Sequence, residues 1–161
     1  MNARLARIAY EAALAATRYS KSKSVDYDDE EGCWVVIKDF LLPEGYNYTH
    51  SDVLILLPSN YPQTPPDWFY VDDNLRLANG QKPSHVFYDN TSHDPNRAHA
   101  QADSPPQMKG WTGCCLHIRS WKPAANPLDG HCLLSVCELI RGALERWRGN
   151  YRCNAEEDPF A

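Results

Sequence analysis

The residues best suited to covalent chemistry are the adjacent thiols in Trp111-Thr112-Gly113-Cys114-Cys115-Leu116-His117-Ile118. A thiolate is a strong nucleophile when it can be reached and ionises near neutral pH, so a reactive cysteine is not a core one. Cys115 is the better candidate. Its segment lies between a long polar loop and the stop Trp121-Lys122-Pro123-Ala124, outside the apolar stripes of the chain. If the segment is extended, its side chains alternate with period two. Cys114 then faces inward with Leu116 and Ile118, while Cys115 and His117 share the open face. There the imidazole of His117 is placed to lower the thiol pKa or to take a proton from an incoming nucleophile.

Zinc is the rival use of these residues, with Cys114, Cys115, His117 and His131 as donors. Adjacent cysteines suit a tetrahedral site poorly, and no Cys-x-x-Cys pair occurs, so neither metal nor other cofactor is expected. The other cysteines are Cys33, Cys132, Cys137 and Cys153. A chain of 161 residues can bury one core without disulfide staples, and its start lacks the apolar stretch of a secretory signal. Reduced thiols in a cytoplasmic protein are therefore expected, most of them buried. A net charge of -5 with no Lys/Arg run argues against a nucleic-acid partner. The longest apolar run, Val53 to Leu57, is far short of the roughly 20 residues that span a bilayer, so no membrane partner is expected either.

The elements that must position Cys115 read as α+β in one domain spanning 1–161. Ala3 to Tyr19 carries Leu5, Ile8, Ala12, Ala15 and Ala16 near helical spacing behind the N-cap candidate Asn2. Its small-residued face predicts a peripheral helix. Cys33-Trp34-Val35-Val36-Ile37, Val53-Leu54-Ile55-Leu56-Leu57 and Trp68-Phe69-Tyr70-Val71 read as strands. The second is apolar throughout, which predicts cover on both faces. Short turns between them imply an antiparallel meander. Pro62, Pro65 and Pro66 make Tyr61-Pro62-Gln63-Thr64-Pro65-Pro66 a rigid turn, with Pro65-Pro66 the candidate cis bond. Asp72 to Gly110 reads as one long polar loop, suspicious on length alone. Asn126-Pro127-Leu128-Asp129 opens the last helix, whose stripe is Cys132, Val136, Leu139, Ile140, Ala143 and Trp147. Gly149 and Asn150 stop it, and the acidic tail within 151–161 frays.

Four blocks, in order, resemble the ubiquitin-conjugating enzyme fold. Tyr61-Pro62-Gln63-Thr64-Pro65-Pro66 resembles its Tyr-Pro-x-x-Pro-Pro turn, and Gly113 to Ile118 resembles its Gly-x-Ile-Cys-Leu-Asp-Ile catalytic segment, shorter by one residue. Trp121-Lys122-Pro123-Ala124 resembles its Trp-Ser-Pro-Ala step, and Leu133-Leu134-Ser135-Val136 the start of its next helix. The chain is more closely similar to the bacterial branch found beside ubiquitin-like, activating-enzyme-like and isopeptidase-like proteins. That pattern runs Leu-Pro-Glu-Gly-Tyr, Tyr-Pro-x-x-Pro-Pro-Asp, Trp-x-x-x-Ser-x-His, Trp-x-Pro-Gly. Here the corresponding stretches are Leu42 to Tyr46, Tyr61 to Asp67, Trp111 to His117 and Trp121 to Pro123.

The resemblance implies a UBC-like fold with its active-site loop in Asp72 to Gly110, and a conjugating activity. Cys115 would take a ubiquitin-like modifier from an activating enzyme as a thioester and pass it to a target nucleophile, with His117 beside it. The implied partners are the modifier, the activating enzyme and the target protein, and the implied setting is bacterial antiphage defence. In the family the first helix meets the activating enzyme, which directs attention to Arg4 and Arg7; taken singly, each reads as part of a solvated helix face. The family's His-Pro-Asn is matched only by the interrupted His93-Asp94-Pro95-Asn96, so no oxyanion role falls on Asn96, Asn74 or Asn90. Backbone amides remain for that task. The alternative function is a catalytically inactive UBC-like module that docks the same partners.

Overall fold

The computed structural model describes residues 2–84, 86–87 and 110–148. Helix α1 (Ala3–Tyr19) is followed by strands β1 (Val25–Tyr27), β2 (Trp34–Leu41), β3 (His50–Leu56), β4 (Trp68–Asp72), β5 (Val86–Phe87) and β6 (Trp111–Cys115). A 3-10 turn (Pro127–Asp129) precedes helix α2 (Leu133–Arg146). The strands form one antiparallel sheet in the order β1-β2-β3-β4-β6-β5. Strands β2, β3 and β4 are the expected meander, and β1, which was not expected from the sequence, pairs with β2 at the sheet edge. The strand bearing the two cysteines then lies against β4, with β5 at the edge.

The run Val53 to Leu56 shows why both faces of the sheet are apolar. Val53 and Ile55 join the core under the helices, whereas Leu54 joins Trp34, Val36, Leu56 and Tyr70 in a second cluster on the opposite face. Helix α1 starts where Asn2 Oδ1 accepts the Leu5 N–H at 2.8 Å. Its small face is not peripheral: Ile8, Ala12 and Ala15 are fully buried, because alanines let the helix axis approach the sheet closely. Near the end of β2 the register with β3 shifts between Ile37 and Phe40, where Asp39 takes φ +47°. The irregularity brings Phe40 into the core, stacked on Tyr19 at 5.7 Å.

Asn126 does cap a turn, accepting the Leu128 N–H at 3.1 Å, but that turn is a short 3-10 piece and α2 begins only at Leu133. The interruption has a clear cause. His131 N–H donates to Lys122 O, and Lys122 N–H donates to His131 Nδ1, both at 2.9 Å, so this stretch is pinned to another strand of chain. Gly130 runs so close there that a Cβ would lie 2.6 Å from Lys122 O.

Two other expectations change. The cis bond is Tyr61-Pro62, not Pro65-Pro66. The stretch from Asp72 to Gly110 is not loop throughout: it contains β5 and a bridge between Leu77 and Tyr46. Residues 85 and 88–109 of that stretch, among them Asn90, His93, Asn96 and His99, lie outside the described residues. So do Gly149, Asn150, Cys153 and the tail.

Candidate active site

The β4–β6 ladder decides which way each cysteine points. Cys114 pairs with Phe69 and Cys115 with Trp68. Paired residues of an antiparallel ladder share a face, so Cys114 joins Phe69 in the helix-side core and Cys115 lies on the opposite face. Beyond the strand end, Leu116 N–H donates to Asp67 O at 2.7 Å, which carries the pairing one residue further. Leu116 and Ile118 pack toward the helix-side core. His117, half-buried, therefore falls on the same side as Cys115, as the alternation predicts.

That side is not the open face expected. It carries the second apolar cluster, with Trp68 and Trp111 packed against it, and Cys115 itself is buried at 8 % exposure. A long apolar strand such as β3 needs cover on both faces, and the aromatic residues of β4 and β6 contribute to it.

The five described cysteines are thiols. Burial drives the Cys114 thiol well above its ordinary pKa, and a charge on neighbouring Cys115 would push it further. Burial, then the proximity of Cys132, does the same to Cys137. Neither is a nucleophile near neutral pH. Cys33 is half-buried and also raised, by burial first and then by Asp28. Among the described residues no three His, Cys, Asp or Glu side chains gather as a metal site. Of the zinc donors weighed above, Cys114 points into the core and His131 uses Nδ1 as an acceptor.

The segment after Cys115 is anchored at both ends to one turn. Its start is tied by the Leu116–Asp67 bond, and its end by Trp121, whose Nε1–H donates to Pro62 O at 2.7 Å. The Trp121 ring also lies against Tyr61 (6.2 Å) and His131 (5.6 Å). The turn Tyr61 to Asp67 and the step Trp121 to Ala124 are thus one packed unit, although the sequence presents them as separate blocks. Tyr61 is held from below: its hydroxyl donates to Glu11 Oε1 at 2.5 Å. Burial and the Glu11 carboxylate raise its pKa far beyond the ordinary phenol range.

Arg4 and Arg7, read from the sequence as solvated or partner-facing, are spent internally. Arg4 donates to the carbonyls of Tyr61, Glu31, Gly32 and Pro58. Arg7 bonds Glu11 Oε2 at 2.7 Å and Ala124 O at 2.6 Å. Glu11 is fully buried, and sequence reasoning passed over it. The available signal was a carboxylate inside the apolar stripe of α1 with a cation four residues before it.

A helix, an antiparallel meander and a second helix, with a cysteine-bearing strand after the meander, are consistent with an E2-like, ubiquitin-conjugating-type domain. The sequence profile of prokaryotic E2 family E matches residues 14–146. The chain belongs to that family, and membership points to a conjugating transferase activity. No curated protein and no solved structure matches it. Among the described residues no helix is long and apolar enough to cross a membrane.

Proposed function

We propose that the protein receives a ubiquitin-like modifier from an activating enzyme as a thioester on Cys115 and transfers it to a nucleophile on a target protein. The Cys115 thiolate attacks the modifier's thioester carbonyl and expels the activating enzyme's thiolate. An incoming amine then attacks the new thioester and expels Cys115. The observation that carries this reading is the contrast within the vicinal pair. Cys114 is locked in the core with a thiol too weakly acidic to react, while Cys115 sits on the other face at the head of an anchored segment that also bears His117.

The test is a charging reaction with the cognate activating enzyme, ATP and modifier. A thiol-sensitive adduct is expected with wild type and with Cys114→Ala, and none with Cys115→Ala. An adduct that survives Cys115→Ala overturns the assignment. His117→Asn should leave charging in place and slow discharge onto amine by about a hundredfold, the lower end of the usual range for a lost general base. The cellular setting we propose is bacterial antiphage conjugation, checked by phage plating on cells carrying wild type or Cys115→Ala.

The 8 % exposure of Cys115 favours a second reading, a docking module that carries no acyl group. A macromolecular donor cannot reach a thiol so covered without local opening. On this reading Cys115→Ala leaves partner binding and cellular activity unchanged.

A further inference from the structure

The sheet face that bears Cys115 changes character along β6. At one end Cys115 neighbours Trp68; at the other, Trp111 stands opposite Asp72 in the same ladder. Trp111 and Asp72 line a groove of about 880 Å³ together with Tyr48, Asp39 and Asp52. Tyr48 is one of the large apolar side chains left exposed, at 37 %. Two carboxylates are partly answered from within the groove: Lys38 lies 3.5 Å from Asp52, and His50 lies 3.3 Å from Asp39. Asp72 accepts the Asn74 N–H at 2.8 Å and is the ladder partner of Trp111, and both residues line the groove. A carboxylate next to an aromatic face is a surrounding that holds an ammonium or guanidinium, by ion pairing and by attraction to the ring quadrupole.

We propose that this groove docks a Lys- or Arg-bearing extended segment of the acceptor protein, its cation seated between Asp72 and Trp111. Charge complementarity selects the occupant: three aspartates outnumber Lys38 and His50 in the lining. The acceptor role rests on the conjugating function proposed above; the binding itself does not. Trp111 is four residues from Cys115 along an extended strand, about 13 Å at about 3.3 Å per residue. A cation in the groove is therefore too far from Cys115 to be the acylated amine. It is a docking residue, and an extended segment lying along β6 would place the acceptor lysine about four residues away.

The direct test is a ¹H–¹⁵N titration of the full chain with an acetylated, amidated Gly/Ser peptide carrying two arginines. Amide shifts are expected at Asp39, Asp52, Asp72 and Trp111, and none with the arginines replaced by glutamine. Asp72→Asn should weaken the peptide by about fivefold. Lys38→Gln, which removes the groove's own competing cation, should tighten it, so a poorly folded first variant cannot decide the matter alone. Shifts centred elsewhere, equal response to the glutamine peptide, or unchanged affinity in both variants would overturn the proposal. Shifts that follow protein concentration without peptide would assign the groove to a second copy of this chain and overturn it as well. In discharge assays, a peptide with arginine four residues from its lysine should react faster than one with the two adjacent. Equal rates remove the acceptor role even if charging on Cys115 stands, whereas failed charging leaves the groove's binding intact.

Discussion

The carboxylate of Glu11, inside α1, accepts the first backbone N–H of α2, from Leu133, at 2.8 Å. One helix thus caps the other, supplying an acceptor to a donor that a helix N-terminus leaves unsatisfied and a negative charge to its positive end. The same carboxylate takes the Tyr61 hydroxyl and the Arg7 guanidinium. Through Tyr61 it reaches the turn that holds both ends of the segment after Cys115.

Glu11→Gln should be among the most damaging conservative changes in the protein. The amide keeps the shape but loses the charge opposite Arg7 and turns an N–H donor toward groups that already donate. A loss of about 3 kcal/mol is expected, near the lower end for breaking a buried ion pair. Tyr61→Phe removes a single donor and should cost about 1 kcal/mol. Denaturant melts of both variants check the ranking, and equal costs would contradict the arrangement.

Gly130 is required for a steric reason, although its φ of -150° is open to any residue. A Cβ there would lie 2.6 Å from Lys122 O and 2.7 Å from Ala124 N, both backbone atoms that cannot swing aside. Gly130→Ala should therefore spread the clasp between Lys122 and His131 and cost about 2 kcal/mol. Faster hydrogen exchange at the Lys122 and His131 amides than in wild type would locate the damage.

Periodicity and turn residues made much of this legible in advance. The limits of α1, the two-faced burial of β3 and the inward turn of Cys114 all follow from side-chain spacing. What could not be read were contacts made across the chain. The Asn126-Pro127-Leu128-Asp129 start looked like the head of a long helix because nothing local records that His131 bonds Lys122. Arg4 looked solvated because four carbonyls from distant turns enclose it only in the fold. The cover over Cys115 was hidden for the same reason: Trp68 is its neighbour only through the β4–β6 ladder.

Asp28 should make stability depend on acid. Burial acts to raise its pKa, but the backbone N–H groups of Cys33, Glu31 and Glu30 together outweigh that, and the net shift is downward. A carboxylate lowered in the folded state contributes stability above its unfolded pKa of about 3.9 and loses it as pH falls through the folded value. Asp28→Ala should cost about 2 kcal/mol at pH 7, given three amide donors left without their acceptor. The difference from wild type should shrink as pH falls below about 4. A gap that stays constant from pH 7 to 3 would show that the ionised form is not what the loop holds.

The thiols offer the sharpest separation between the conjugating and docking readings. Cys114 and Cys137 are fully buried with raised pKa values, and Cys132 is almost as covered, so none should react with iodoacetamide in the native protein. Cys33 is more exposed than Cys115, yet burial and Asp28 hold its thiol protonated. If Cys115 is a nucleophile whose cover opens, it should be alkylated before Cys33 at pH 7, despite its smaller exposure, as read residue by residue by mass spectrometry. Urea well below the unfolding midpoint should speed Cys115 while leaving Cys114 protected, because the two lie on opposite faces of β6 and local opening of one does not expose the other. If Cys115 instead follows Cys114 and reacts only on global unfolding, the thiol belongs to the fold, and the docking reading takes its place.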